Sequence, residues 1–360
     1  MKAALVSLGS VSSEWTLERM RNRFETADNI NIKNIEVKMN AKSLEVLYEG
    51  AALQEYDCIY AKGSFRYAPL LRSLTFAFYD KAYMPIKPNS FTIGHDKLLT
   101  HLALQYNKIP MPDTYLASTP QAAKNLLSGL NYPIVLKFPH GTQGKGVMFA
   151  DSFASASSML DALETLRQPF LIQEYLETGG VDVRAFVIGD KVVASTKRKA
   201  VMGEKRANIH AGAKGEAYTL DMHAKKIAIN AAKAVGAEIC AVDILESHDG
   251  PQVIEVNLSP GLQGITNATN IDVADKIAEY LFEQAKKFRE KGRIGETDKI
   301  MKELESKAEK EAMQQIITNL DFRSDRILLP KLVTQITKFD EKDEFVVKAE
   351  KGKVVIEKYS

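Results

Sequence analysis

Cysteine is scarce in this chain, and long apolar runs are missing from it. Only two cysteines, Cys58 and Cys240, occur among 360 residues, and both lie in apolar stretches. This excludes a disulfide framework and predicts reduced core thiols of a cytoplasmic protein. No apolar run approaches the length of about 18 residues that a membrane-spanning helix needs. The short apolar start, AALVSL, is expected to form a first β-strand rather than a signal peptide.

The chain also lacks a strong excess of either charge. Its formal net charge is +2, with 45% hydrophobic and 26% charged residues. This balance is ordinary for a globular protein, so no nucleic acid or membrane partner is expected. No Ser-His-Asp or Cys-His grouping is evident, and we find no internal repeat.

Strand-like and helix-like patterns alternate over residues 1–90. AALVSL, IKNIEV and YDCIYA predict strands. One helix is expected between the first two strands, and another between Lys42 and Leu53. This order is typical of a mainly parallel, open sheet, as in α/β proteins.

Two β-hairpins and an amphipathic helix are predicted farther along. DVRAFVIGDKVVASTKRKA has turn residues at Gly189-Asp190, and EICAVDILESHDGPQVIEVN has them at Asp249-Gly250. The segment DKLLTHLALQYN predicts a helix whose apolar side carries Leu98, Leu99, Leu102 and Leu104. These elements extend the α/β character into an α+β arrangement.

A glycine-rich loop, KFPHGTQGKGV at 137–147, follows the strand-like segment PIVL. A Walker A loop requires G-x-x-x-x-G-K-[ST] before a helix, and a Rossmann fingerprint requires G-x-G-x-x-G before a helix. Neither fits, because the glycines here read G-x-x-G-x-G and a second strand follows. The loop is equally consistent with a phosphate-binding hairpin tip and with an ordinary tight turn. Lys137, at the strand end, favours phosphate, although a lysine there can also simply reach solvent.

Polar side chains interrupt two apolar strands of the second hairpin. Glu255 and Asn257 share a face because side chains alternate along a strand, and Asp243 on the other arm can share it. Carboxylate and amide oxygens are the ligands that Mg²⁺ prefers together with substrate phosphates. The alternative is a solvated hairpin face. Cationic and polar residues on and after the first hairpin could neutralise phosphate or a substrate carboxylate, or form a solvated edge; they are Arg184, Arg198, Lys199, Arg206, Asn208 and His210.

The order of these motifs resembles that of the ATP-grasp superfamily. D-K-L at 96–98, GTQGKGV, QEYLE, R-x-N-x-H-x-G and V-D-I-L…E-V-N-x-S-P-G-L follow one another in the sequence. Within the superfamily they are similar to RimK-type α-L-glutamate ligases over residues 1 to about 288. The resemblance implies an ATP-grasp domain at 91–290 behind a pre-ATP-grasp α/β domain at 1–90. It divides the former into a glycine-rich lid part, about 115–175, and a metal-binding part, about 176–290.

The resemblance also implies roles for individual residues. Asp243, Glu255 and Asn257 are the implied ligands of two Mg²⁺ or Mn²⁺ ions. Arg198, Arg206 and Asn257 are the implied catalytic residues, with Arg198 steadying an acyl phosphate. The implied ATP-binding residues are Lys97, Lys137, Gly141, Thr142, Gln143, Gly144, Lys145, Gly146, Gln173, Glu174, Tyr175, Leu176, Asp182, Arg206 and Asn208.

The implied reaction is ATP-dependent amide formation between a carboxylate and an amine. A carboxylate takes the γ-phosphoryl group of ATP, and an amine then displaces phosphate from the acyl phosphate. The implied substrates are an amino acid, expected to be glutamate, and a carboxylate-bearing protein, peptide or coenzyme. A homo-oligomer, dimeric or tetrameric, is also expected.

The tail at 296–360 is extra to this family pattern. TDKIMKELESKAEKEAMQQIITNL predicts an amphipathic helix, and EFVVKAE and KVVIEKY predict a hairpin turned at Lys351-Gly352. The tail weakly resembles an AbrB/SpoVT-like swapped hairpin, which leaves a nucleotide-responsive DNA-binding regulator as the alternative function. Residues 296–360 contain 13 Lys/Arg and 14 Asp/Glu, a net charge of −1. DNA-binding modules usually have a basic excess, so dimerisation or partner docking is favoured.

Overall fold

The structure is a computed structural model that describes residues 1–141, 146–200, 214–291, 321–324 and 326–359. The chain divides into two compact units, Met1–Lys291 and Gly292–Ser360. In the described residues, no helix combines the length and apolar character required to cross a membrane. Cys58 and Cys240 are both buried and unpaired.

The first unit begins with six strands and one helix. In chain order they are β1 (Lys2–Ser7), α1 (Val11–Arg21), β2 (Thr26–Asn31), β3 (Ile35–Met39), β4 (Leu44–Tyr48), β5 (Ala51–Ala52) and β6 (Cys58–Ala61). Strands β2, β1 and β6 form a parallel sheet in that order. The carboxyl ends of β1 and β6 therefore lie side by side, where open α/β sheets usually bind ligands.

Two of our expectations for this region are wrong. The helix predicted between Lys42 and Leu53 is replaced by β4 and β5, which form an antiparallel sheet with β3. Leu44, Val46 and Tyr48 alternate with Glu45 and Leu47, and this period of two suits a strand. IKNIEV, expected in the parallel sheet, instead contributes β3 to the antiparallel sheet, and β1 has β2 and β6 as its parallel neighbours. The sequence of β2, TADNIN, hides it because only Ala27 and Ile30 are buried.

The next part of the chain contains a separate small sheet. The elements are α2 (Ala68–Ala77), α3 (Ser90–Ile93), α4 (Lys97–Tyr106), β7 (Thr114–Tyr115), α5 (Pro120–Leu127), β8 (Ile134–Lys137), β9 (Val147–Ala150), α6 (Phe153–Thr165) and β10 (Leu171–Glu174). Strands β7, β10, β8 and β9 pair antiparallel in that order. Helices α5 and α6 pack with them around a cluster that includes Leu127, Leu136 and Leu160.

Helix α4 is the predicted amphipathic helix, with one difference in its buried face. Its N-cap is Asp96, whose side chain accepts a hydrogen bond from the Leu99 amide. Leu104 is buried, whereas Leu102 is 54% exposed. Thr100 and His101 are buried in its place. A polar residue on a buried helix face needs a hydrogen-bond partner, and the partner of His101 lies in the cleft described below.

The rest of the first unit forms a five-stranded antiparallel sheet with three helices. Its elements are β11 (Val181–Ile188), β12 (Lys191–Lys199), β13 (Lys214–Ala217), α7 (Met222–Val235), β14 (Ile239–Ser247), β15 (Gly250–Asn257), α8 (Gln263–Thr269) and α9 (273–291). The strand order is β13-β12-β11-β14-β15. Both predicted hairpins are present, the first turned at Gly189-Asp190 and the second at His248-Asp249, one residue earlier than expected.

Helix α7 ends at Gly236, which adopts a left-handed conformation with φ +79. A Cβ at this position would lie 2.8 Å from the Ser90 hydroxyl oxygen. Hydrophobic residues of 3–109 and 183–285 form one core, and the small sheet has its own core. The domain boundaries that the family resemblance implies remain a prediction.

The second unit has two hairpins and one helix in its described residues. Strands β16 (Asp321–Arg323) and β17 (Arg326–Leu328) pair, and α10 spans Lys331–Thr337. Strands β18 (Phe345–Glu350) and β19 (Lys353–Lys358) form the predicted hairpin around Lys351-Gly352. The predicted amphipathic helix before Asp321 lies outside the described residues. The AbrB-like fold stays a prediction.

Candidate active site

A cleft of about 490 Å³ in the first unit brings together most of the residues that the sequence singled out. They come from segments far apart in the chain, because three sheets contribute to its walls. The predicted site residues that line it are Lys97, Lys137, Gly141, Gln173, Glu174, Tyr175, Leu176, Asp182, Arg198, Asp243, Glu255 and Asn257. Thr142, Gln143, Gly144, Lys145, Arg206 and Asn208 lie outside the described residues, as does His210.

The second hairpin places its three oxygen-bearing side chains on one face. Asp243 on β14 is the Cα partner of Glu255 on β15, and Ala241 is the partner of Asn257. Within the described residues, Glu255 has no hydrogen-bond or ion-pair partner. The Asn257 Oδ1 atom accepts a hydrogen bond from the Ser259 amide at 2.9 Å, and an amide oxygen keeps a second lone pair.

This donor set fits a divalent cation only in combination with other ligands. Among the described residues, no three His, Cys, Asp or Glu side chains converge on one point. Two carboxylates and one amide therefore leave several positions open. Mg²⁺ is usually bound in this way, with substrate phosphates and water completing its shell. Glu255 and Asn257 have free lone pairs, so the residues present fit such an ion.

Of these three side chains, Asp243 has the most hydrogen-bond and ion-pair partners. It is 4% exposed, and both of its oxygens accept hydrogen bonds from Arg184, each at 2.7 Å. The Arg198 Nη2 atom lies 3.0 Å from the same carboxylate. Burial favours the protonated form, yet the two guanidinium groups outweigh burial and hold the Asp243 pKa well below its ordinary value. Asp243 is therefore ionised and fixed in orientation.

Arg198 joins Asp243 to Asp182. Its Nε and Nη2 atoms donate to the two Asp182 oxygens at 2.6 and 2.7 Å, and the side chain is 4% exposed. Asp182 and Arg198 are opposite each other on β11 and β12. The structure thus gives both residues a structural partner. The roles implied for them, on ribose and on the acyl phosphate, remain predictions.

The two lysines of the site are connected through a buried network that the sequence did not reveal. Lys137 donates to the Gln173 Oε1 atom, and the Gln173 Nε2 atom donates to Thr114 and to the His101 Nε2 atom, both at 2.8 Å. The other ring nitrogen of His101 donates to the Lys97 carbonyl oxygen at 2.6 Å. These partners fix the Gln173 amide and the His101 tautomer.

Burial has a large effect on the charges of this network. It lowers the pKa of His101 to about 4, so the imidazole is neutral near pH 7 and its Nε2 atom can accept from Gln173. It also lowers the pKa of Lys137 to about 8, with Lys97 adding to this effect and Glu255 opposing it. The Lys97 ammonium donates to the Gly141 carbonyl oxygen at 3.2 Å. Neither lysine has a direct carboxylate partner in the described residues.

On the ATP-binding role that the family resemblance implies for Lys137, replacing His101 with leucine is expected to raise the KM for ATP roughly tenfold. Gln173 would lose one of its hydrogen-bond acceptors and could turn away from Lys137. The wild-type protein should also lose stability as pH falls from about 6.5 to 4. In that range the unfolded histidine takes up a proton that the folded one, with its pKa lowered to about 4, does not. The variant should lack this part of the pH dependence.

Steady-state kinetics and urea unfolding between pH 4 and 7 measure both effects. The exposed His223 on α7 provides the matched control, His223→Leu. An unchanged KM for ATP in His101→Leu would remove His101 from any role in positioning Lys137.

Gly146 has a conformational requirement of its own. Its φ is +78, and a Cβ would lie 2.4 Å from the Phe138 ring. Its carbonyl oxygen accepts a hydrogen bond from the Phe138 amide at 3.0 Å. Gly146 is not among the residues that line the cleft, so the described geometry explains this glycine as a turn residue.

Several residues that line the cleft were not predicted as site residues. His101 and Lys62 belong to it, as do Ser10 and Ser13 at the start of α1. Arg184 was noted only as one of several cationic side chains. A sequence signal existed for Lys62, which ends an apolar strand as Lys137 does.

Comparison with known proteins agrees with this geometry. The RimK-like ATP-grasp domain matches residues 94–281, more than half of the chain. A probable alpha-L-glutamate ligase from Vibrio cholerae is 35% identical over 301 residues, which are 81% of this chain and 99% of its own. One from Pseudoalteromonas atlantica is 35% identical over 300 residues, 79% of this chain and 97% of its own. The protein therefore belongs to the RimK-like ATP-grasp family.

Other similarities are shorter or concern the fold alone. A probable alpha-L-glutamate ligase from Legionella pneumophila is 44% identical over 195 residues, 54% of this chain; the match spans 65% of that relative, less than two thirds. The ATP-grasp ligase PsnB with its minimal precursor has a TM-score of 0.63 at 17% identity, covering 79% of this chain and 98% of PsnB. A RimK domain ATP-grasp protein from Sphaerobacter thermophilus has a TM-score of 0.62 at 20% identity, covering 78% and 99%. The expected mixed α/β class and ATP-grasp fold are thus confirmed.

Proposed function

We propose that this protein is an ATP-dependent carboxylate–amine ligase that forms an amide through an acyl phosphate. The observation that carries the proposal is the convergence of Lys97 and Lys137 with Glu255 and Asn257 in one cleft. The two cations suit the phosphates of ATP, and the oxygen ligands suit Mg²⁺ or Mn²⁺. The family's relatives named alpha-L-glutamate ligase support glutamate as the amino acid.

The first step in this proposal is phosphoryl transfer. A carboxylate oxygen of the acceptor bonds to the γ-phosphorus of ATP, the bond to the bridging oxygen breaks, and ADP leaves. Such a reaction depends on positioning and charge neutralisation more than on a covalent nucleophile. Lys97 and Lys137 would hold the phosphates, with Gln173 and His101 keeping Lys137 in place. Glu255, Asn257 and Asp243 would hold a divalent cation, which would supply further neutralisation of phosphate charge.

The second step is amide formation. The amine nitrogen of the amino acid attacks the acyl carbon, inorganic phosphate departs with its bridging oxygen, and the nitrogen loses a proton. Nucleotide or intermediate binding is proposed to involve three further residues: Arg206, Asn208 and Arg198, which is paired with Asp182. We propose a protein, peptide or coenzyme as the acceptor, a cytoplasmic location in line with the two free thiols, and a homo-oligomer.

The alternative of a nucleotide-responsive DNA-binding regulator has no support from the relatives described above. Its sequence basis was the tail, whose net charge of −1 over 296–360 gives little attraction for DNA. We therefore propose a single function for the chain.

The protein is expected to release ADP from ATP in the presence of Mg²⁺, L-glutamate and a desalted cell lysate, and to transfer labelled glutamate to an acceptor. Mass spectrometry of the products identifies molecules that gain one or more glutamyl residues. A lysate without added enzyme and a reaction without ATP are the controls. ADP release that does not respond to glutamate, with no glutamyl product, would contradict the proposed function.

A further inference from the structure

Lys62 is a buried cation in the cleft for which the proposed reaction gives no role. It follows β6 directly, is 5% exposed and lines the cleft. Its ammonium group lies 5.9 Å from the centre of the Tyr60 ring, and no acidic side chain in the described residues forms an ion pair with it. Burial alone lowers the pKa of Lys62 to about 8, so the group is still charged near neutral pH. An unpaired buried charge is unfavourable unless a ligand of opposite charge pairs with it.

The other cations of the cleft already have partners or roles. Among the described residues that line it, Arg184 and Arg198 are paired with Asp243 and Asp182. Lys97 and Lys137 are the two lysines proposed to bind phosphate. Lys62 is thus the remaining cation in the described part of the cleft that can hold a second anion.

The surroundings of Lys62 also suit an anion. Ala61, the last residue of β6, is the Cα partner of Val6 on β1. The turn after β1 leads into α1, an 11-residue helix capped by Ser10. The N-terminus of a helix carries partial positive charge. Ser10 and Ser13 line the same cleft, and their hydroxyl groups lie 3.0 Å apart, so one of the two hydroxyl protons is free for a ligand.

A hydrogen-bonded bridge ties this corner to the proposed metal ligands. The Gly63 amide donates to the Ser259 hydroxyl at 2.8 Å, and that hydroxyl donates to the Gly63 carbonyl at 2.9 Å. The Ser259 amide in turn donates to Asn257. These hydrogen bonds fix the position of the loop that carries Lys62 relative to the strand end that carries Asn257.

We propose that Lys62, together with Ser10, Ser13 and the N-terminus of α1, binds a carboxylate of the amino-acid substrate. This inference rests on the proposed function. In that reaction the amino acid reacts through its amine, so each of its carboxylates stays negatively charged and needs a partner other than the phosphate-binding lysines. Glutamate has two such groups, and a lysine at the carboxyl end of β6 provides one charge-assisted hydrogen bond.

The test is calorimetric titration of L-glutamate into the full-length protein with ADP and Mg²⁺ bound. Lys62→Met is expected to weaken L-glutamate binding roughly 10- to 100-fold, as expected for a lost hydrogen bond to a charged group. ADP affinity should stay within about twofold, and Ser13→Ala should weaken glutamate binding less than Lys62→Met does. Lys33→Met, at an exposed lysine of the same unit, is the matched control and should bind like the wild type.

Thermal unfolding separates a binding role from a structural one. Removing an unpaired buried charge should leave the unfolding temperature of Lys62→Met equal to or above that of the wild type. Equal glutamate affinity in Lys62→Met and wild type would overturn the inference, as would a wild type that binds ADP without binding glutamate. A wild type that fails to bind ADP and Mg²⁺ would instead overturn the proposed function.

Discussion

Glu255→Gln is expected to lower the rate of glutamate-dependent ADP release about 10²- to 10³-fold, the usual loss when one charge-stabilising group leaves an active site. Glutamine keeps the size and shape of the side chain and removes its negative charge. Glu255 lines the cleft and has no hydrogen-bond or ion-pair partner in the described residues, so the folded chain should depend little on its charge. We therefore expect an unchanged unfolding transition and a higher Mg²⁺ concentration for half-maximal activity.

Glu246 provides the matched control for Glu255. It lies on β14, the other arm of the same hairpin, and its carboxylate accepts a hydrogen bond from the Tyr218 hydroxyl at 3.0 Å. It is not among the residues that line the cleft. Glu246→Gln should keep nearly full activity at every Mg²⁺ concentration. If both variants were equally active, Glu255 would not be a metal ligand and the assignment of the hairpin face would fail.

The five-stranded sheet was predictable because its signals are local. Alternation along AVDIL and VIEVN predicted that Asp243 could share a face with Glu255 and Asn257. The exact pairing of Asp243 with Glu255 depends on a register shift between Asp243 and Ile244 and on a turn one residue earlier than expected, and the local pattern encodes neither. Between Lys42 and Leu53, by contrast, the structure has strands β4 and β5 where we predict a helix, although Leu44, Val46 and Tyr48 show the same alternation. Strand β2 gave little signal at all, since a mostly polar edge strand buries only Ala27 and Ile30.

The side-chain contacts in the cleft are harder to predict from the sequence. Asp243 and Glu255 look alike as carboxylates in apolar strands, yet one is enclosed by Arg184 and Arg198 and the other has no partner in the described residues. His101 reaches Gln173 across 72 positions of the chain, and no local pattern encodes such a contact. Such side-chain contacts depend on how the sheets are arranged in the tertiary structure. The sequence therefore predicts which residues belong to the site but not which side chains they contact.

Arg198→Met is expected to destabilise the first unit by about 3–5 kcal/mol, the usual effect of breaking a buried ion pair by removing one partner. The substitution leaves the buried Asp182 without its bidentate partner and takes one of two guanidinium groups from Asp243. Trp15, the single tryptophan of the chain, lies on α1 and reports unfolding of this unit by fluorescence in urea. Activity should fall as well, because Asp243 is held less firmly.

The double variant Asp182→Leu/Arg198→Met distinguishes a lost ion pair from lost packing. Replacing both partners with apolar side chains removes the uncompensated charge, so most of the stability lost in Arg198→Met should return. Activity should return less completely, since Arg184 alone would hold Asp243 and any contact of Arg198 with substrate stays lost. Lys197→Met is the matched control, because Lys197 is the neighbour of Arg198 on β12. Its side chain is 41% exposed, and its ion pair with Glu246 is long and weak at 3.9 Å, so little change in stability is expected. Equal destabilisation of the single and double variants would show that Arg198 stabilises the sheet by packing rather than by its charge.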